Sequence, residues 1–237
     1  MSRVVWDAVG ERKYSNGVDR GMLYKQNANG EYGTGVAWNG LTAVTEKPSG
    51  AEEQKQYADN IKYLSLLSAE DFGLTIEAFF SPEEFDECDG CARIANGVSI
   101  AQQARRGFAF SYRSMIGTDA SDEAGYEIHV VYGCKASPTE KARNTKNESP
   151  EAPTLSWEVT TTPIPVPGFK PTAHLWVNTI NVNDETKITE LENILYGTDA
   201  VEADVEHNIE AQEATVPTLA MPADFIRIFG APTNAAG

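Results

Sequence analysis

Apolar and polar positions alternate most strictly over residues 107–116. Phe108, Phe110 and Tyr112 take one phase and Ala109, Ser111 and Arg113 the other. Period two marks a strand with one buried face. Residues 126–134 repeat the pattern, with Tyr126, Ile128, Val130 and Tyr132 in phase. An acidic turn region at residues 118–125 joins the two into a long antiparallel hairpin. Leu74, Ile76, Ala78 and Phe80 alternate with Thr75, Glu77 and Phe79. Leu155, Trp157 and Val159 mark another strand, broken by Pro163, Pro165, Pro167 and Gly168, and Ala173, Leu175 and Val177 mark its expected antiparallel partner. Residues 21–26 and 32–38 flank the turn-rich Asn27-Ala28-Asn29-Gly30. Residues 41–44 and 98–100 add short strands. Roughly eight strands and few helices predict a mainly β protein, an antiparallel sandwich or barrel with short flanking helices.

Between these strands lie three helical signals. Residues 57–90 read as strand, tight connection, strand and a short acidic helix. Ser81 and Glu84 have capping-box spacing, Pro82 suits a first helical position, and Phe80 and Phe85 occupy the two places of a hydrophobic staple. These five residues define a strand–helix junction, with Gly90 as its stop. In residues 186–196, Ile188, Leu191 and Leu195 recur at helical spacing, with Gly197 after them. Pro222 opens a last short helix whose Phe225, Ile226, Ile228 and Phe229 need a surface, on this chain or a neighbour. Residues 45–57 contain Pro48 and many polar side chains, and read as about a dozen residues of exposed loop. The expected organisation is an N-terminal arm (1–20), a β domain (21–180) and a C-terminal extension (181–237). That extension contains an acidic spacer at residues 198–216.

Charge sharpens this picture. The 237 residues carry 35 acidic and 19 basic side chains, net −16. Residues 46–90 hold 12 acidic and 3 basic residues, and residues 181–237 hold 11 and 2, so each segment is −9. The other two segments, 1–45 and 91–180, are each +1. A surface built to grip nucleic-acid phosphates is excluded as a general feature. No stretch has the ~18 apolar residues of a membrane helix, and the N-terminus lacks a signal-peptide pattern. Three cysteines do not make a secreted disulfide scaffold, and folding in a reducing cytoplasm is expected.

Candidate chemistry is sparse. Cys88-Asp89-Gly90-Cys91 is a single C-x-x-C pair, and Cys134 with a histidine could complete four zinc ligands. The bland alternative, small residues closing a helix, is favoured. His129 and His174 sit in strands, out of phase with the apolar positions, and His207 lies in the acidic spacer. No G-x-S-x-G motif accompanies them. Arg105-Arg106 suits salt bridges better than phosphates, and Asn147-Glu148-Ser149 has the form of a glycosylation site without a secretory context. The expectation is no enzyme, no cofactor and no metal.

Several stretches are distinctive: AWNGLTAVTEKPSGAE, YADNIKYLSLLSAEDFGLTIEAFFSPEEFDECDG, VSIAQQARRGFAFSYRSMIG, GYEIHVVYGCKASPTEKA and NESPEAPTLSWEVTTTPIPV, with LENILYG and PADFIRIFG near the end. Together they resemble the major tail protein of long-tailed bacteriophages and prophages, the siphophage tail-tube subunit. Cys91 stands where that pattern suggests a small residue such as serine. The resemblance implies a tail-tube β-sandwich that forms hexameric rings, which stack into a hollow tube. It implies tape-measure, tail-terminator and distal tail proteins as partners, passage of DNA through the lumen without specific binding, and no membrane. The location would be the virion tail, assembled in the host cytoplasm. The alternatives are a tube protein of a contractile-injection or type VI secretion system, or a monomeric β-sandwich binding module, for example for carbohydrate. Trp38, Trp157 and Trp176 fall in or beside strands, where core burial is favoured over a sugar platform.

Two site expectations follow from that implication. Thr45, Glu46, Lys47, Pro48, Ser49, Gly50, Glu52 and Glu53 form an inter-subunit loop, with the N-terminal arm as a second candidate. Glu46, Glu52, Glu53, Asp59, Glu70, Asp71 and Glu77 supply acids facing the bore. Six copies at −16 each carry −96 formal charges, and lumenal carboxylates would keep DNA from sticking.

Overall fold

The computed structural model describes residues 4, 6–143, 145, 152–201 and 211–230. In chain order the strands are β1 (Lys13–Lys25), β2 (Val36–Trp38), β3 (Leu41–Glu46), β4 (Ser49–Gly50), β5 (Glu53–Ala58), β6 (Ile61–Leu67), β7 (Glu70–Asp71) and β8 (Gly73–Ala78). A 3-10 turn at Glu83–Phe85 follows, and a second lies at Thr179–Asn181 after the last strand. Then come β9 (Ala92–Ala95), β10 (Val98–Ile100), β11 (Phe108–Thr118), β12 (Gly125–Ala136), β13 (Leu155–Thr160), β14 (Ile164–Val166), β15 (Phe169–Thr172) and β16 (His174–Asn178). Two helices close the chain, α1 (Glu185–Tyr196) and α2 (Pro222–Phe229). The fold is mainly β and antiparallel with few helices, as the alternation predicts.

Eight strands make one curled sheet in the order β2-β1-β11-β12-β13-β8-β3, with β16 paired to β12 beside that path. Strand β12 does the bending. Its Glu127–Val131 portion pairs with β16, and its last residues, Lys135 and Ala136, pair with β13. The sheet thereby folds over itself. Phe108, Phe110, Tyr112 and Val131 face Leu74, Ile76, Trp157 and Val159 across a closed core. Trp38–Trp157, Phe85–Phe108 and Phe85–Trp157 pack there edge to face, with ring centroids 5.3–5.7 Å apart, a preferred aromatic geometry, and Trp38 meets Phe85 at a tilt with centroids 4.6 Å apart.

The other phase of the same strands is also covered. Met22, Tyr24, Ala109, Ile128, Val130 and Tyr132 pack beneath Ile188, Leu191, Leu195, Phe225 and Ile228 of the helices. The Tyr24 and Tyr132 hydroxyls donate to the carbonyls of Leu195 and Ala220 at 2.8 and 2.7 Å, which locks this layer down. The apolar C-terminal helix therefore docks on its own chain, and α1 and α2 act as the sandwich's second cover. Asp184 caps α1, accepting from Thr186 N at 3.1 Å.

Several local expectations change. β1 starts at Lys13, inside the stretch read as a terminal arm, and pairs with β11 through two irregularities. Those bulges fall at Asn16-Gly17 and Arg20-Gly21, where Gly17 and Arg20 take positive φ, so period two is locally hidden. Strand β16 does not pair with β13. The proline-rich link forms its own small hairpin, β14–β15, and carries the chain to the edge of β12.

The strand–helix junction is a junction without an α-helix. Pro82, not Ser81, precedes the 3-10 turn, and no side chain caps it. Phe80 is 71 % exposed while Phe85 is fully buried, so the staple is not made. Burying Phe85 among Trp38, Phe108 and Trp157 outweighs the small gain from a capping box. The Phe80 carbonyl is used instead, accepting from Trp38 Nε1 at 2.9 Å. Glu84 is left exposed beside Glu83.

Candidate functional site

Residues 45–57, read as loop, are the first part of a β-arm. β4 pairs with β7 at its base and β5 with β6 along its length. Asp59 and Asn60 turn the tip with φ of 52° and 64°, both positive as a type I′ hairpin turn requires. Every residue from 45 to 71 is exposed. From Pro48 to the tip the arm spans roughly 35 Å at the ordinary rise of a strand. Its apolar side chains are large: Tyr57, Ile61, Tyr63, Leu64, Leu66 and Leu67 are 40–73 % exposed. A register shift leaves Tyr63 as an extra residue in β6, so the pairing puts Ile61, Leu64 and Leu66 on one face of the arm and Tyr57 and Leu67 on the other, with Lys62 and Ser65 beside Glu53. Pro48 is compatible because it precedes the paired residues, at an edge with no ladder to break.

The acids proposed for a bore do not form one patch. Residues 46–71 hold six acidic and three basic side chains, net −3, and residues 72–90 hold six acidic and no basic ones. Most of the segment's acidity thus sits around the 3-10 turn, where cations meet it. Glu83 pairs with Arg93 at 2.5 Å, Glu87 with Lys25 and Arg106 at 3.2 and 2.6 Å, and Asp89 with Arg105 at 3.2 Å and also with Lys141. The Arg105-Arg106 pair is spent in these bridges, as its sequence context suggests. On the arm, Lys62 and Ser65 hold the Glu53 carboxyl below its ordinary value. Among the described residues Glu52, Asp59, Glu70, Asp71 and Glu77 form no ion pair. They are strung from the arm's tip to its root, with Glu77 on β8.

Glu46 is different. It ends β3 at the root of the arm, where the inner face of the sandwich changes from apolar to polar. His129 on β12 lies opposite Trp176, and His174 lies opposite Val131, so the two imidazoles are diagonal neighbours on adjacent strands. His129 Nδ1 and His174 Nε2 are 3.1 Å apart. Glu46 Oε1 is 3.6 Å from the first and 3.8 Å from the second. The Tyr112 hydroxyl donates to Glu46 Oε1 at 2.8 Å, and His129 Nε2 meets Ser114 Oγ at 2.9 Å. Tyr112 stacks on His129 at 4.5 Å and Phe72 on His174 at 4.8 Å.

Burial lowers the His129 pKa against the opposing pull of Glu46. It pushes His174 down to about 4, with Glu46 again opposing. Burial, and then the bond to Glu46, raises Tyr112. The imidazoles are neutral near pH 7 and retain nitrogen lone pairs. Ser114, His129 and Glu46 do not make a hydrolytic triad. Ser114 lies mid-strand between Val18 and Glu127, so the amides around it serve the ladders and not an oxyanion hole.

Of the other candidates, Cys88 and Cys134 are buried in the apolar core and Cys91 is half-buried. Trp38 and Trp157 are core residues, but Trp176 is 58 % exposed: it lies on the His174 face of β16, opposite in phase to Leu175 and Val177, and lines an open groove. His207 and Asn147-Glu148-Ser149 lie outside the described residues. The sequence pattern placed His129 and His174 out of phase with the apolar positions but did not bring them together, because the pairing of β12 with β16 is not local. The alternation in Ile61–Leu67 together with Asp59-Asn60 was the available signal for the arm. No family model matches the chain, and no curated protein matches it in sequence.

Proposed function

We propose that this protein is a structural subunit that self-assembles into hexameric rings stacked as a hollow tail tube, through which DNA passes. The observation that carries this reading is the β-arm. A two-stranded hairpin without a layer beneath it is marginal in water, yet this one projects six large apolar side chains. Such a surface is suited to burial by another copy, and apolar positions on both faces suit an arm held between neighbours. The resemblance of the distinctive stretches to siphophage tail-tube subunits supplies the partner: a second copy of the same chain. The uncompensated acids Glu52, Asp59, Glu70, Asp71 and Glu77 are consistent with a lumen that does not retain phosphates.

Replacing residues 51–69 with a two-residue Asn-Gly turn tests the reading. The variant is expected to stay folded and monomeric, while the parent at high concentration gives striated hollow tubes or six-fold rings by negative-stain microscopy. Normal tubes from the shortened variant, or a parent that stays monomeric at all concentrations, would overturn it.

A further inference from the structure

We propose that Glu46, His129 and His174 form a zinc site at the root of the arm, with one coordination place left for solvent or a small anion. The three ligand atoms make a triangle with edges of 3.1, 3.6 and 3.8 Å. Zinc bonded at ~2.0–2.1 Å in tetrahedral geometry needs ligand–ligand edges of about 3.3–3.4 Å. A cation set above this triangle therefore requires adjustments of a few tenths of an ångström. These three are the cation-competent group among the described residues.

The surroundings fit a metal centre beyond the ligands themselves. In the tautomer with hydrogen on Nε2, His129 donates to Ser114 Oγ and turns the Nδ1 lone pair toward Glu46 and His174. The Tyr112 hydroxyl fixes Glu46 Oε1 in the same direction. Partners of this kind aim ligands and raise metal affinity. The rings are held between Tyr112 and Phe72, so little rotamer freedom remains to be lost on binding. Entry is open. The Glu46 side chain is 39 % exposed, and Glu46 and His174 line a groove of ≈ 340 Å³ with Glu70, Phe72, Pro171 and Trp176. Two imidazoles and one carboxylate favour zinc, with cobalt(II) as its spectroscopic substitute, over magnesium or calcium, which prefer all-oxygen sites.

Placement gives the ion a consequence. Glu46 is the last residue of β3 before the arm, whereas His129 and His174 belong to β12 and β16. One ion would fasten the arm's root to the opposite sheet of the sandwich. This follows from the subunit's own geometry and does not depend on tube formation.

Chelator-stripped protein titrated with zinc chloride should bind one ion per chain at micromolar or tighter affinity, with a rise in melting temperature that EDTA reverses. Cobalt(II) should give the intense visible absorption of a tetrahedral centre. Glu46→Gln and His174→Gln should each weaken zinc by at least about tenfold and remove the cobalt band. Glu46 is exposed, so the Glu46→Gln chain keeps its fold and decides the matter even where a histidine variant does not. No zinc bound by the parent, or unchanged binding and cobalt spectrum in the Glu46→Gln chain, would overturn the site.

Discussion

The sandwich and the arm are built from the same kind of strand and live under opposite conditions. In β11 and β12 both faces are covered, one by β3, β8 and β13 and the other by α1 and α2. In β5 and β6 neither face is covered, although Leu64, Leu66 and Leu67 are as apolar as residues in the core. Hydrogen-bond pairing alone therefore does not distinguish a structural strand from a surface available to a partner. The distinction lies in whether a second layer removes the side chains from water, which supplies most of the stabilisation. Two regions of one chain thus differ in cover: the sandwich buries both faces of its strands, and the arm leaves its apolar side chains in water, where the proposed function would use them for assembly.

The sharpest way to break this comparison is to cut the sandwich core. Trp157 is fully buried and packs against Trp38 and Phe85. Trp157→Ala should lower unfolding free energy by about 3–5 kcal/mol in a denaturant titration. A loss below about 1 kcal/mol would show that this core does not hold the monomer together.

The helical cover should respond less, and with a pH signature. Thr186 donates to the Asp184 carboxylate from both its hydroxyl and its backbone N–H, and these bonds hold its pKa below 3.8. A folded pKa below the unfolded one means stabilisation that is present above the unfolded value and lost as pH falls through the folded one. Asp184→Ala should lower the melting temperature by a few degrees at pH 7. The difference from the parent should shrink as pH falls through the folded pKa, leaving only the weaker bond that the neutral carboxyl still accepts. A difference that does not shrink there would assign the effect to something other than the charged cap.

The arm should matter least to the monomer. Replacing Leu66 and Leu67 together by serine should change unfolding free energy by no more than about 0.5 kcal/mol, while tube yield in microscopy falls to background. If the pair costs the monomer several kcal/mol, the arm is part of the fold and the division between the two regions fails.

How much was legible follows the same line. Alternation located β8, β11, β12 and β13, and helical spacing with Gly197 and Pro222 located both helices, because these signals are local. The junction at Ser81 misled because a capping box offers little compared with burying Phe85 in an aromatic core. The segment from Glu53 to Ala58 was legible only in part. Its polar residues resemble a loop, and its pairing with Ile61–Leu67 depends on the turn at Asp59-Asn60. The acidity of residues 46–90 suggested one charged surface, but salt bridges from Lys25, Arg93, Arg105, Arg106 and Lys141 absorb the portion near Phe85. The Arg105-Arg106 pair points to salt bridges, but which carboxylates these cations meet is decided by the fold and not by the local pattern.

By itself the sequence determined the β class, the two helices and the phases of β8, β11, β12 and β13, since each depends on neighbours two to four positions apart. Tertiary structure alone decided which phases are covered twice, which strands are left uncovered and which side chains converge. Period two records that a strand has two faces but not what lies against each. For that reason His129 and His174 read only as out of phase with their apolar neighbours, yet packing of β12 between two layers brings them together with Glu46, 83 and 128 residues apart along the chain.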